Sequence, residues 1–172
     1  DVYKRQPWVF KFNESDETWH MLVTTRVDSV NPKFGGVMGH ATSKDLIHWD
    51  VAPPLSEPGQ GFGETEVFQF EIVDGVPVIL FCCSSAWISS ERRKRGEGGV
   101  YSLTVAADLS DVDFNRAVWF DAPELYAARL VQDSEGGWNL IGFVNMVDGS
   151  FVGELSDPIP VTAKPDQGLV RR

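Results

Sequence analysis

Residues 67–81 read VFQFEIVDGVPVILF. Two runs rich in β-branched and aromatic residues flank the dipeptide Asp74-Gly75, which is the pattern of a β-hairpin. The same order of an aromatic-rich strand, a polar turn and a second apolar strand occurs at residues 8–23 and again at residues 125–143. Three such units predict an all-β chain made of short antiparallel strands.

The three units follow each other at a constant interval. Phe10, Phe68 and Tyr126 serve as anchors of the predicted first strands, and both intervals between them are 58 residues. A long fixed period built from short strands is typical of the blades of a β-propeller. Because three blades do not close a ring, we expect residues 1–172 to be a single piece of a larger propeller domain.

The remaining strands are predicted from alternation and from glycines that precede apolar runs. The third strands of the units are expected at residues 37–42, 100–105 and 150–155. Residues 117–120 are expected to form an outer strand. Residues 51–59 are too rich in proline for a central strand and predict a connection between blades. The chain from Asp157 onward is expected to be irregular.

Charge and composition exclude several classes of partner. The net charge of −10 repels phosphate backbones, so we expect no nucleic-acid partner. No apolar run reaches the length of a membrane span, so we expect no membrane partner. Cys82 and Cys83 are adjacent and would point to opposite faces of a strand, so they are expected to be small buried side chains and not a disulfide. This favours a cytoplasmic location, with secretion as the alternative.

Glu64 and Glu66 are the strongest candidates for chemistry. At a spacing of i and i+2 on a strand, both side chains leave the same face. A carboxyl at the start of an innermost propeller strand, walled by apolar groups, can have a raised pKa and act as a general acid. The alternative is that both are exposed charges at a strand edge, which is the usual state of glutamate.

Several short motifs resemble those of glycoside hydrolase family 32, the β-fructofuranosidases. The sequence ATSKDLIHW at residues 41–49, followed by a proline-rich stretch, resembles the family's signature between blades. EVFQ at residues 66–69 resembles its Glu-Val-Pro-Gln acid/base motif. ELYA at residues 124–127 resembles Asp-Phe-Tyr-Ala, and LIGF at residues 140–143 resembles Leu-Leu-Gly-Trp. The resemblance extends from about residue 7 to residue 161.

The resemblance implies a partial five-bladed β-propeller, of which this chain supplies about three blades. It implies hydrolysis of terminal fructosyl bonds in sucrose or fructans by a retaining mechanism with two carboxylates. Glu66 would be the acid/base, and Arg5, Glu124, Tyr126 and Phe143 would contact the substrate. The expected partner is a small carbohydrate, and no cofactor or metal ion is implied.

The sequence departs from the family pattern at two motifs. The Asn-Asp-Pro-Asn motif, whose Asp is the family nucleophile, does not occur and is expected upstream of residue 1. The family's Arg-Asp-Pro motif falls on Arg5-Gln6-Pro7, with Gln6 in place of the Asp. Residues 1–6 resemble translated sequencing-adapter sequence, so the natural chain is expected to start near Pro7. Without the nucleophile, the isolated chain is expected to be inactive.

Two alternatives remain open from the sequence. Family 43 shares a looser version of the signature between blades, so an arabinan-degrading glycosidase is the first. The second belongs to a different class, a non-catalytic propeller that binds glycans or proteins. The first would lack an upstream Asn-Asp-Pro-Asn motif, and the second would be insensitive to the substitution Glu66→Gln.

Overall fold

Antiparallel strands build the part of the protein that the computed structural model describes, residues 5–28 and 31–172. The first sheet has the order β1 (Arg5–Phe10), β2 (Trp19–Arg26), β3 (Gly36–Ser43) and β4 (Asp50–Ala52). The second has the order β5 (Glu66–Val73), β6 (Val76–Cys83), β7 (Gly99–Thr104) and β8 (Val118–Trp119). Short 3-10 helices lie at Pro32–Phe34, Ser85–Trp87, Arg92–Lys94 and Phe114–Arg116. The predicted all-β fold of propeller blades is confirmed.

The third sheet has an interrupted strand at its third position. It contains β9 (Leu125–Gln132), β10 (Trp138–Val147), β11 (Ser150–Leu155), β12 (Ile159–Lys164) and β13 (Gly168–Arg171). One edge of β10 pairs with β9, whereas β11 and β12 pair with different halves of β10. The outermost strand, β13, pairs with β12. This blade therefore has the four-layer order of the other two.

Two expectations about proline-rich segments were wrong. The chain beyond Asp157 is not irregular, because β12 and β13 lie there. Pro160 lacks an amide donor, but its carbonyl oxygen accepts from the backbone N–H of Arg172 at 3.0 Å, so pairing continues past it. The connection predicted at residues 51–59 begins later, because Val51 and Ala52 belong to the edge strand β4 and pair with β3.

A β-bulge recurs at the start of each first strand. In β1, β5 and β9 the register shifts, because an advance of three residues along the bulged strand faces an advance of only two residues along the neighbouring strand. The residues inside the bulges are Gln6, Val67 and Ala127, with φ of 58°, 58° and 48°. Such angles are unusual for residues other than glycine, and strained backbone of this kind is concentrated at functional sites.

The positions of the bulges show that the predicted interval between the repeats was wrong. The residues that precede them, Arg5, Glu66 and Tyr126, are equivalent, and they lie 61 and 60 residues apart. The interval of 58 residues therefore does not describe the structure. Phe10 ends β1, whereas Phe68 lies just after the bulge of β5, so these two anchors do not occupy equivalent places.

The second sheet is buried on both faces. Along β6, Ile79, Phe81 and Cys83 belong to the apolar cluster shared with the first sheet. Val78, Leu80 and Cys82 alternate with them and belong to the cluster shared with the third sheet. Cys82 and Cys83 are thus buried on opposite faces and are free thiols, as predicted. Within the described residues, no helix is long and apolar enough to cross a membrane.

Gln69 connects the second sheet to the third. Its side-chain Nε2 donates to the carbonyl oxygen of Leu130 at 2.9 Å, and the backbone N–H of Leu130 donates to its Oε1 at 2.8 Å. Gln69 is only 2% exposed, so these bonds are shielded from water. The buried amide therefore sets the position of β9 relative to β5, two residues after the bulge residue Val67 and three residues after Ala127.

Candidate active site

The three bulged strands bring equivalent residues to one place. First strands of propeller blades surround a common axis, so side chains at equivalent positions converge there. Nη2 of Arg5 lies 2.5 Å from Oε1 of Glu66. The Tyr126 hydroxyl donates to the other oxygen, Oε2, of the same carboxyl. Each of the three blades thus contributes one residue to a cluster centred on Glu66.

Both glutamates of the sequence motif are buried. Glu64 is 5% exposed and Glu66 is 7% exposed, which excludes the alternative that they are free surface charges. Arg5 contacts Glu64 as well, with 3.2 Å between Nη2 and Oε1. Burial raises the pKa of Glu64, and the neighbouring charge of Glu66 raises it further, while Arg5 and Arg26 oppose the shift. The site is a compact group of carboxylates with a shared cation.

Tyr126 acts on Glu66 as a hydrogen-bond donor. Burial raises the pKa of the Tyr126 phenol, and the bond to Glu66 raises it further, so the hydroxyl stays protonated. A protonated phenol can donate to an ionised carboxylate and can accept when that carboxyl carries a proton. Tyr126 therefore holds Oε2 in place in both protonation states of Glu66.

Arg129 supports the site from behind. Its Nη1 donates to the carbonyl oxygen of Val67, the bulge residue that follows Glu66, at 2.6 Å. Its guanidinium lies 5.5 Å from the centre of the Trp8 ring, in cation–π geometry. The Arg129 side chain is half-buried and fixes the backbone beside Glu66.

A cleft of about 320 Å³ opens next to Tyr126, between the second and third sheets. Its walls come from the end of β6, the segment before β7, the start of β9 and the end of β10, and they include Ser84, Glu97, Glu124, Tyr126 and Asn145. This volume is at the lower end of the range for small-molecule sites. The cleft lies at the same end of the sheets as Glu66, since Glu66 pairs with Cys82 near the end of β6.

Comparison of the sequence with known proteins found no match. No protein-family model matches, and no curated protein does either. Comparison of the structure was informative. Sucrose-6-phosphate hydrolase from Lactobacillus gasseri is similar with a TM-score of 0.69 and 16% identity, over 98% of this chain and 36% of that one. The β-fructofuranosidase BmSUC1 from Bombyx mori is similar with a TM-score of 0.70 and 16% identity, over 96% of this chain and 36% of that one.

An inulosucrase from Halalkalicoccus jeotgali gives a TM-score of 0.72 and 18% identity, over 95% of this chain and 48% of that one. The fold is that of the family 32 glycoside hydrolase propellers. This chain spans between about a third and a half of the length of these three structures. A thermostable family 43 glycoside hydrolase has a related fold, with a TM-score of 0.60 and 10% identity.

Within this propeller fold, the predicted site residues fall into three groups. Arg5, Glu66 and Tyr126 come together. Glu124 lies beside them in the wall of the cleft. Phe143 contacts Phe151, with 6.2 Å between ring centroids. Because Trp138 and Leu140 on the same strand pack toward the second sheet, alternation turns Phe143 to the other face, and its substrate contact stays a prediction.

The predictions for residues 1–6 differ in how far the structure bears on them. Residues 1–4 lie outside the described part. Gln6, which replaces the family's Asp, accepts a hydrogen bond from the Thr24 hydroxyl at 3.2 Å. The prediction that residues 1–6 are foreign to the natural chain stays a prediction. The family's Arg-Asp-Pro motif also has arginine at the position of Arg5.

Among the described residues, no group of three or more His, Cys, Asp or Glu is placed to hold a metal ion.

Tyr126→Phe tests the hydrogen bond to Glu66. Phenylalanine keeps the ring and its packing but removes the donor to Oε2. If Glu66 is a general acid/base of the complete protein, kcat should fall about tenfold to a hundredfold, because a carboxyl held at one oxygen is less well oriented. The free energy of unfolding should fall by only about 1 kcal/mol, which is the net contribution of one hydrogen bond. An unchanged kcat with lowered stability would show that Tyr126 is purely structural.

Proposed function

We propose that this chain contributes the acid/base half of a glycoside hydrolase that releases terminal fructosyl units from sucrose or fructans with retention of configuration. The observation that carries the proposal is the buried Glu66, whose two oxygens are held by Arg5 and Tyr126 at the meeting point of three blades. A positioned carboxyl beside a cleft of sugar size is what a general acid requires.

Glu66 would act twice. It would first give its proton to the glycosidic oxygen while a second carboxylate attacks the anomeric carbon of fructose and the bond to the leaving sugar breaks. It would then take a proton from the water molecule that hydrolyses the fructosyl–enzyme bond, which restores both carboxyls. Retention needs the second carboxylate about 5 Å from Glu66. The resemblance assigns that role to an Asp upstream of this sequence.

Substrate release assays test the proposal. The complete reading frame that contains this chain would be expressed and incubated with sucrose, inulin and arabinan. We expect free fructose from the first two. The 172-residue chain assayed in parallel should release none, because it lacks the nucleophile motif. Arabinose release without fructose would support the family 43 alternative. The structural similarity to a family 43 enzyme is the observation that favours this alternative. Binding without release of either sugar would support a non-catalytic propeller.

The charge of the cleft predicts selectivity against phosphorylated substrates. Glu97 and Glu124 line it, and in the described part of the chain its lining contains no Lys, Arg or His. Arg93 reaches the rim, where it donates to the Ser85 carbonyl oxygen. We expect kcat/KM to be at least about tenfold higher for sucrose than for sucrose phosphorylated on its glucosyl unit, because like charges repel.

The paired substitution Glu97→Gln and Glu124→Gln provides the control for this selectivity. It removes both carboxylates from the cleft and leaves the shape of each side chain nearly unchanged. We expect the preference for unphosphorylated sucrose to shrink toward equality. A preference for the phosphorylated sugar in the unmodified protein would contradict the assignment of this cleft to a neutral sugar.

A further inference from the structure

Arg92 is a buried cation that the proposed reaction does not use. It lies in the loop between β6 and β7 and is only 5% exposed. Its Nη1 donates to the carbonyl oxygen of Ala117, and its Nη2 donates to the carbonyl oxygens of Gln60 and Phe114. Its guanidinium lies 4.5 Å from the centre of the Phe62 ring, in cation–π geometry. All four of these partners are uncharged.

The charge of Arg92 has no counter-ion within the described residues. Each hydrogen bond of its side chain there goes to a carbonyl oxygen, and no carboxylate is in ion-pair contact with it. Burial lowers the pKa of Arg92, Tyr101 and Asp113 act against this shift, and the neighbouring charge of Arg95 adds to it. Arginine nevertheless stays charged in proteins. Because a buried charge is costly unless it is paired, this position favours an anion nearby.

A small cavity of about 140 Å³ lies beside Arg92. Its walls come from residues 59–61 before β5, from the loop between β6 and β7, and from the 3-10 helix before β8. Arg92 and Arg95 both line it, together with the hydroxyl-bearing Ser89 and the amide-bearing Asn115. The volume is less than half of the roughly 300 Å³ at which small-molecule sites begin. The cavity therefore suits a small ion and not a sugar.

The lining of this cavity carries an excess of positive charge. Glu91 is the one acidic residue in the part of the lining that the structure describes, and its Oε2 already accepts from Nζ of Lys94 at 2.6 Å. The Arg95 side chain makes only a long contact there, 3.5 Å from its Nη1 to the Asn115 carbonyl oxygen. Two guanidinium groups thus face one cavity in a chain whose net charge is −10.

We propose that this cavity binds a small tetrahedral oxyanion, of which inorganic phosphate is the simplest example, between the guanidinium groups of Arg92 and Arg95. Guanidinium groups match phosphate oxygens through pairs of N–H donors. Arg92 is held in place by its carbonyl partners, so it loses little freedom when the anion binds. The bound anion would balance the buried charge and connect residues 59–61 to the loop between β6 and β7.

This inference does not depend on the proposed function. The cavity shares no lining residue with the cleft beside Tyr126, among the residues described for both. It adds a binding site for an anion to a chain whose proposed substrate is a neutral sugar.

Titration of the complete protein with inorganic phosphate tests the proposal. Ionic strength would be held constant with chloride, so that general screening does not change. Calorimetry should show saturable binding to a site that involves this cavity. In nitrogen-15 NMR, the backbone amide signals of Gly61, Ser89 and Asn115 should shift with the same midpoint. The absence of saturable binding, or shifts confined to other parts of the protein, would overturn the inference.

Arg95→Gln removes one of the two charged donors. Arg95 is exposed, so its substitution should leave the fold intact. We expect the Kd for phosphate to rise at least about tenfold, because a charge-assisted hydrogen bond is lost. An unchanged Kd would contradict the proposed site.

Arg93→Gln is the matched control. Arg93 lies in the same short helix and is also exposed, but it donates to the Ser85 carbonyl oxygen and does not line the cavity. The substitution removes the same charge, and we expect the Kd to stay within about twofold because distant exposed charges are screened. Equal weakening in Arg93→Gln and Arg95→Gln would mean that phosphate responds only to the overall charge of the loop, and the inference would be wrong.

The paired substitution Glu97→Gln and Glu124→Gln distinguishes this cavity from the cleft. It should leave the Kd for phosphate within about twofold, because both carboxylates line the other site. Phosphate binding that strengthened in this variant and did not respond to Arg95→Gln would lie in the cleft and would overturn the inference. None of these measurements uses fructose release, so this proposal and the proposed function can fail separately.

Discussion

Glu66→Gln should lower kcat for sucrose by about a thousandfold, in the middle of the range for loss of a general acid/base. Glutamine has nearly the same size, its carbonyl oxygen can accept from Arg5, and its amide can donate to Tyr126. The side chain would stay in place, but it would have no proton to transfer. We therefore expect KM to change by only a few-fold. Steady-state kinetics on the complete reading frame would measure both parameters.

Glu71→Gln is the matched control for this experiment, since it removes a partly buried carboxylate from the same strand. It should keep kcat within about twofold. A Glu66→Gln enzyme that retained more than a tenth of the original kcat would show that another group supplies the proton. The convergence of Arg5, Glu66 and Tyr126 would then be an ion-pair network with a structural role.

Gln69→Leu should reduce the free energy of unfolding by about 3 kcal/mol. Leucine is similar in size but removes both partners of Leu130, leaving a buried N–H and a buried carbonyl oxygen unsatisfied. Each such group costs about 1–3 kcal/mol. Urea unfolding followed by tryptophan fluorescence would measure the change, with the slope of the transition checked for two-state behaviour.

Gln132→Leu offers a matched comparison on β9. Gln132 is exposed, and its side chain makes only a long contact of 3.5 Å to the Gly136 carbonyl oxygen. Its substitution should change stability by less than about 0.5 kcal/mol. Equal effects of the two substitutions would mean that Gln69 does not hold the second and third sheets together, because water or another group replaces its bonds.

The strands of this chain could be predicted because their signals are local. Alternating apolar residues and turn dipeptides act over a few positions, and they gave the hairpins and the opposite faces of Cys82 and Cys83. The bulges could not be predicted in this way. Val67 and Ala127 carry no preference for positive φ, so their conformation is imposed by the packing of the blades and not by residue type. The false period of 58 residues follows from that missing information.

The site was predictable in part for the same reason. The resemblance singled out Arg5, Glu66 and Tyr126, and the structure brings them together. Nothing in the sequence shows that Glu64 shares Arg5, since that contact joins residues 59 positions apart. Phe143 illustrates a different case. It was expected at the site because it is an aromatic residue in a motif, and strand alternation places it on the face of β10 opposite Trp138 and Leu140, so its substrate contact stays a prediction.

The most direct test of Glu66 as general acid varies the leaving group. Sucrose needs a proton on its departing oxygen, whereas a nitrophenyl β-fructoside departs readily without one. Rates of the fructosyl-transfer step would be measured for both substrates in the unmodified protein and in Glu66→Gln. We predict a loss of about a thousandfold for sucrose and less than about tenfold for the nitrophenyl substrate. Equal losses for the two substrates would contradict the assignment.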